Sequence, residues 1–109
     1  MAKKKYLNHE LEKEVRIYLK DLRKEGISYS EIILFGSYAK GTAKPWSDID
    51  LCVVSDQFGK DRYSERLKLM HIKNENTLDI EPHPYNLSGL EDKWDPLAVE
   101  IRKYGVNIV

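Results

Sequence analysis

Two short apolar runs, Ile32-Ile33-Leu34-Phe35 and Leu51-Cys52-Val53-Val54, bracket a polar stretch that opens Gly36-Ser37 and closes Asp48-Ile49-Asp50. Runs of this length, bounded by turn residues, read as buried strands, with residues 31–35 and 48–54 as their extents. In a strand, residues i and i+2 share a face and lie roughly 6–7 Å apart. Asp48 and Asp50 therefore project together, and Ile49, Leu51 and Val53 turn to the opposite side. A chain carrying this pattern must pack one side of the sheet while tolerating two carboxylates on the other.

Two carboxylates about 6.5 Å apart repel by roughly 2–3 kcal/mol at an effective dielectric near 20. The plain alternative is a pair of surface aspartates, each neutralised by a nearby lysine. The core-like strand and the adjoining Gly-Ser turn favour a functional reading. Oxygen ligands on a rigid strand suit a hard divalent cation such as magnesium, with substrate phosphates completing its shell. A Gly-Ser turn offers backbone N–H groups and a hydroxyl to a phosphate. Competing motifs fail on spacing. Gly36 and Gly41 fit the start of a P-loop, but Thr42 stands where its lysine is required. There is no G-x-G-x-x-G fingerprint. An EF-hand loop opening at Asp48 would meet Val53 and Gly59 where it needs glycine and glutamate.

Gly36-Ser37, ten intervening residues and then Asp48-Ile49-Asp50 resemble the signature of the DNA polymerase beta-like nucleotidyltransferases. The form Gly-Ser-Tyr-Ala-Lys-Gly…Ser-Asp-Ile-Asp-Leu is most similar to their minimal nucleotidyltransferases of bacteria and archaea, and with the downstream segments the resemblance covers most of the chain. It implies the polymerase beta-like palm fold and magnesium- or manganese-dependent transfer of a nucleoside monophosphate, AMP from ATP, to an acceptor hydroxyl. It also implies a partner, a small helical HEPN-domain protein encoded alongside. In such pairs the nucleotidyltransferase acts as antitoxin by adenylylating a tyrosine of the toxin. The competing reading is a non-catalytic module that uses the same fold to mask a partner. Intact Gly36, Ser37, Asp48, Asp50 and Glu81 argue against it, since a pure binder need not keep a repelling acidic cluster.

At 109 residues the chain is expected to form one domain, residues 1–109. Lysine plus arginine and aspartate plus glutamate number 18 each, so there is no basic excess of the kind a dedicated nucleic-acid binder carries. No run of eighteen apolar residues exists to span a membrane, and the N-terminal lysines have no apolar stretch behind them. Cys52 is the sole cysteine and lies within a strand, so it reads as packing, and the cytoplasm is the expected compartment.

Residues 8–25 read as an amphipathic helix with Leu11, Val15, Tyr18, Leu19 and Leu22 on its apolar face, closed by Gly26 in a left-handed cap. The lysines at 3–5 are expected to be solvated. A short helical turn should follow Gly36-Ser37, and residues 55–60 read as a loop. Residues 61–74 suit a second helix with Tyr63, Leu67 and Met70 on one side. In Leu78-Asp79-Ile80-Glu81 the alternation predicts a strand with one buried and one acidic face, which Pro82 and Pro84 should stop. Asp95-Pro96 should start a last helix with Leu97, Ile101 and Tyr104 as its stripe, closed by Gly105, with a short strand at 106–109.

Two-metal nucleotidyl transfer needs a cluster of carboxylates. Asp48 and Asp50 supply two, and the acidic face at 79–81 must supply the third. Geometry alone does not separate Asp79 from Glu81. The resemblance favours Glu81, because Ile80-Glu81-Pro82-His83-Pro84 is similar to a segment of one minimal-nucleotidyltransferase subgroup, whereas Asp79 matches other subgroups. Gly36 and Ser37 should hold the triphosphate. Lys40 is a candidate phosphate contact or a solvated helix lysine. His83 is a candidate ligand or base, although a histidine between prolines is more often structural. Tyr38 and Trp46 could stack on a base or staple the loop. The expected whole is an α/β (α+β) domain, a small mixed, mostly antiparallel sheet with helices on one face and an acidic cleft on the other.

Overall fold

A computed structural model describes residues 5–109 of the protein. The expectation for Lys3 and Lys4 falls outside the described residues. The elements are α1 (His9–Lys24), β1 (Glu31–Phe35), α2 (Ser37–Lys40), β2 (Ile49–Val54), α3 (Arg62–Ile72), β3 (Ile80–Tyr85), α4 (Leu87–Leu90), α5 (Pro96–Tyr104) and β4 (Val106–Asn107). The sheet order is β3-β2-β1-β4. β1 runs antiparallel to β2 and to β4, and β2 runs parallel to β3 through the α3 crossover. The mixed, mostly antiparallel sheet expected from the sequence is therefore present.

Helix α1 follows local rules at both ends. The Asn8 side chain accepts from the Leu11 N–H at 2.9 Å, and Gly26 takes φ +80° just past the end. The Gly26 N–H then donates to the Arg23 carbonyl and the Ile27 N–H to the Leu22 carbonyl, the paired bonds of a Schellman cap. Val15, Tyr18, Leu19 and Leu22 are buried with Ile32, Leu34, Ile49, Leu51, Val53, Leu69 and Ile80 in the larger core cluster. The Tyr18 hydroxyl donates to the Leu69 carbonyl at 2.8 Å, which ties α1 to α3.

The opposite face of the sheet holds a second cluster of Phe35, Cys52, Val54, Tyr85, Leu90, Ala98 and Ile101. Helices are therefore not confined to one face. The long helices α1 and α3 pack with the first cluster, and the short α4 and α5 cover part of the other face. Asp95 caps α5 by accepting from the Leu97 and Ala98 N–H groups, with Pro96 at the first turn as expected. Tyr104, expected in the apolar stripe, is exposed, and Ala98 takes the buried place beside Ile101.

Two expectations on the middle of the chain need correction. In α3 the buried residue is Leu69, whereas Tyr63 is 74% and Leu67 42% exposed. The face of a weakly amphipathic helix is decided by what it packs on, and α3 packs mainly on β3 and α1. In β3 the prolines do not stop pairing: the strand starts at Ile80 and runs through Pro82 and Pro84 to Tyr85, while Leu78 is exposed ahead of it. Residues 80, 82 and 84 point their backbone groups away from β2, because the carbonyls of Asp79 and Tyr85 are the ones that accept from it. Both missing proline donors thus fall on the outer side of an edge strand, where no partner needs them.

Candidate active site

The corner between β1 and α2 is built on Gly36, which is buried and has φ +72° and ψ −153°. That backbone region is essentially closed to residues with a Cβ. A Cβ at Gly36 would also lie 2.1 Å from Asp50 Oδ2, so glycine lets the turn close directly onto the aspartate carboxylate. The register explains the approach, since Phe35 at the end of β1 is paired with Asp50. Ser37 opens α2 and is half-buried.

Across the parallel pair, Asp50 is in register with Glu81 and Cys52 with His83. Paired residues of adjacent strands lie about 4.8 Å apart and share a face, so Asp50, Glu81 and His83 form one polar wall. His83 Nε2 sits 3.6 Å from Asp50 Oδ1, and its ring meets Phe35 edge-on at 5.2 Å between centroids. Glu81 Oε2 receives a hydrogen bond of 3.0 Å from Arg66 Nη2 of α3. Asp48 is exposed immediately before β2.

Asp79 is not on this wall. It lies in the turn before β3, where its N–H donates to Glu14 Oε2 at 2.7 Å and its carbonyl accepts from the Ile49 N–H. Burial, the largest influence, pushes the Glu14 carboxyl above its ordinary value, and Asp79 adds to the shift while its N–H opposes it. The fold brings Glu81, and not Asp79, alongside Asp50.

Lys40, at the end of α2, is engaged with α5: its Nζ is 3.2 Å from Glu100 Oε1 and 4.9 Å from the Tyr104 ring centroid. Tyr38 is half-buried against the larger core. Trp46 is 81% exposed, carried outward by a turn in which the Ser47 hydroxyl accepts from the Lys44 N–H. Cys52 is buried, and burial above all pushes its thiol up to about 12, so it is packing.

No local motif marks Arg66 as the partner of Glu81, or His83 as a neighbour of Asp50. Arg66 lies one turn before Leu69, so a correct assignment of the inward face of α3 would have pointed to it. Asp48, Asp50 and Glu81 offer hard oxygen donors, which fit a magnesium or manganese ion by chemistry. As the side chains stand, no three His, Cys, Asp or Glu groups among the described residues are gathered as a metal cluster. Asp50 is turned toward His83 and Glu81 toward Arg66.

Residues 12–107 match the family model described as a nucleotidyltransferase domain. A candidate protein adenylyltransferase of Methanocaldococcus jannaschii is 44% identical over 50 residues, which cover 46% of this chain. The match spans only 34% of that relative's own length. Among solved structures, a toxin–antitoxin complex with AMP-PNP is similar at a TM-score of 0.53 and 27% identity, over 86% of this chain and 70% of that one. A candidate nucleotidyltransferase from Sulfolobus solfataricus gives a TM-score of 0.60 over 98% of this chain and 89% of the other. At 16% identity that second likeness concerns the fold alone.

Proposed function

Because this chain belongs to the nucleotidyltransferase domain family, we propose that it transfers AMP from ATP to a hydroxyl of a partner protein in a metal-dependent reaction. The observation that carries this reading is the closed corner, where Gly36 has no room for a side chain because the Asp50 carboxylate stands against it. The nucleotide in the toxin–antitoxin relative supports the choice of ATP, and the candidate adenylyltransferase relative supports AMP as the group moved.

In this reaction the acceptor oxygen forms a bond to the α-phosphorus, and the bond to pyrophosphate breaks in line with it. The proton lost by the hydroxyl passes to a carboxylate of the acidic wall. Asp48, Asp50 and Glu81 would hold the metal, which when bound would neutralise the charge that builds on the phosphates. Gly36 and Ser37 receive the triphosphate through backbone N–H groups and the Ser37 hydroxyl. Lys40 exchanges Glu100 for phosphate oxygens when nucleotide arrives.

The acceptor must be held within roughly 3–3.5 Å of the phosphorus. Equal numbers of acidic and basic residues give little electrostatic reason to recruit RNA or DNA for that role. A protein partner fits better. The family resemblance points to a HEPN-domain protein as that partner, and the toxin–antitoxin relative supports a reading of this chain as half of a toxin–antitoxin pair. The test is mass spectrometry of such a partner after incubation with this protein, ATP and magnesium. A mass increase of AMP on the partner, lost in Asp48→Asn, is expected. Efficient nucleotide addition to a tRNA or an aminoglycoside by this chain alone would overturn the choice of acceptor. A tight complex that never acquires AMP would leave the masking role in its place.

A further inference from the structure

Two arginines one helical turn apart on α3 reach over the β3 edge, and they are held very differently. Arg62 Nη1 is 3.0 Å from Asp95 Oδ2, and its guanidinium lies 4.2 Å from the Tyr85 ring centroid. The Tyr85 hydroxyl donates to the same Asp95 oxygen at 2.7 Å. Arg62 is thus an anchor. Among the described residues Arg66 makes one ion pair, 3.0 Å from Nη2 to Glu81 Oε2, and its Nε is buried without a hydrogen-bond partner. Both side chains of that pair keep contact with solvent, 43% for Arg66 and 28% for Glu81. It is a single bond where an arginine fork can make two.

We propose that Arg66 is the resting counter-ion of the third carboxylate, and that a divalent cation binds this site only by displacing Arg66 from Glu81. The inference rests on the metal-dependent reading above. Glu81 stands in register with Asp50, the carboxylate that Gly36 admits to the corner. While Glu81 faces Arg66, one of its oxygens is committed, and a fixed positive charge stands beside the place a cation would occupy. The guanidinium relieves the repulsion between Asp50 and Glu81 in the resting protein. The orphaned Nε and the solvent contact leave it weakly enough held to be exchanged. Arg66 therefore acts through Glu81 as a positioning residue, and it sets the metal affinity of the nucleotide-free protein.

The test titrates Mn2+ alone against the full chain, reading free Mn2+ by electron paramagnetic resonance. Arg66→Gln is expected to bind Mn2+ about three- to tenfold more tightly than wild type, the range expected from removing a partly screened competing charge. Arg66→Lys, which keeps the charge, should stay within about twofold of wild type. Arg66→Met, which keeps the apolar stem, repeats the measurement with different packing. Arg62→Gln should leave affinity unchanged, and cooperative thermal unfolding verifies that each variant is folded. A merely structural ion pair would lower the melting temperature of Arg66→Gln and leave Mn2+ affinity where it was. Unchanged or weaker binding in folded Arg66→Gln and Arg66→Met overturns the inference alone. Indistinguishable Mn2+ binding by wild type and Asp48→Asn overturns the metal-dependent reading and the inference with it.

Discussion

Replacing Gly36 by alanine puts a methyl group where the corner has none to spare. The backbone at φ +72°, ψ −153° lies in a region that costs a residue with a Cβ about 1–3 kcal/mol. The added carbon would also stand 2.1 Å from Asp50 Oδ2 and 3.0 Å from its Cγ, so the carboxylate must swing away or α2 must lift. Gly26 and Gly41 are built-in controls: each has positive φ, at +80° and +78°, with no atom of the described residues within 4 Å of an added methyl. Alanine there carries only the left-handed penalty, about 1–2 kcal/mol. With the clash included, Gly36→Ala should cost about 3–4 kcal/mol, roughly 12–30 °C in melting temperature for a domain of about this size. Urea unfolding measures the three variants side by side, and calorimetry with a non-hydrolysable ATP analogue and magnesium follows the site. Gly26→Ala and Gly41→Ala should bind the analogue normally, and Gly36→Ala should not. Equal stability losses at all three positions with nucleotide binding intact would refute the account of the corner.

Three further predictions bear on the packing and the wall. Leu69→Ala should cost about 2–5 kcal/mol, because it empties the buried face of α3, and Leu67→Ala should stay within about 0.5 kcal/mol in the same urea series. In a labelled-ATP transfer assay Glu81→Gln should abolish activity while Asp79→Asn retains most of it, and the reverse ranking would move the third carboxylate to the turn. Burial, the largest single influence, would raise the Asp95 carboxyl, yet hydrogen bonds from Tyr85, Arg62 and the Ala98 N–H together hold it below its ordinary value. A lowered folded value contributes stability that is complete above the unfolded value near 3.9 and is lost as pH falls through the folded one. Asp95→Asn should therefore cost about 1–3 kcal/mol at pH 7 and flatten the acid limb of the urea midpoint between about pH 5 and pH 2.

What the sequence made legible was local. The limits of β1, the Asp95 cap, the left-handed turn at Gly26 and the two-sided β2 each depend on a few neighbouring residues. The closed corner was legible for the same reason, since Gly36 and Asp50 lie within one strand–turn–strand unit. What was misread depends on pairing across the fold. Tyr63, Leu67 and Met70 have a helical spacing, yet the β3 edge selects the face that carries Arg66 and Leu69. Pro82 and Pro84 look like strand breakers until the parallel register turns both toward the open edge. The placement of Glu81 beside Asp50, and of Asp79 away from it, follows from that same register, which no local pattern encodes.

The central claim is that the acidic wall and the Gly-Ser corner act together as one metal–nucleotide site. Isothermal calorimetry with a non-hydrolysable ATP analogue, with and without magnesium, tests it directly, because phosphate oxygens complete the shell of a hard cation held by carboxylates. Measurable binding is expected only with magnesium present, and should be lost in Asp48→Asn and Asp50→Asn variants that still unfold cooperatively. Equal nucleotide affinity with and without metal, or full affinity in either variant, would contradict it.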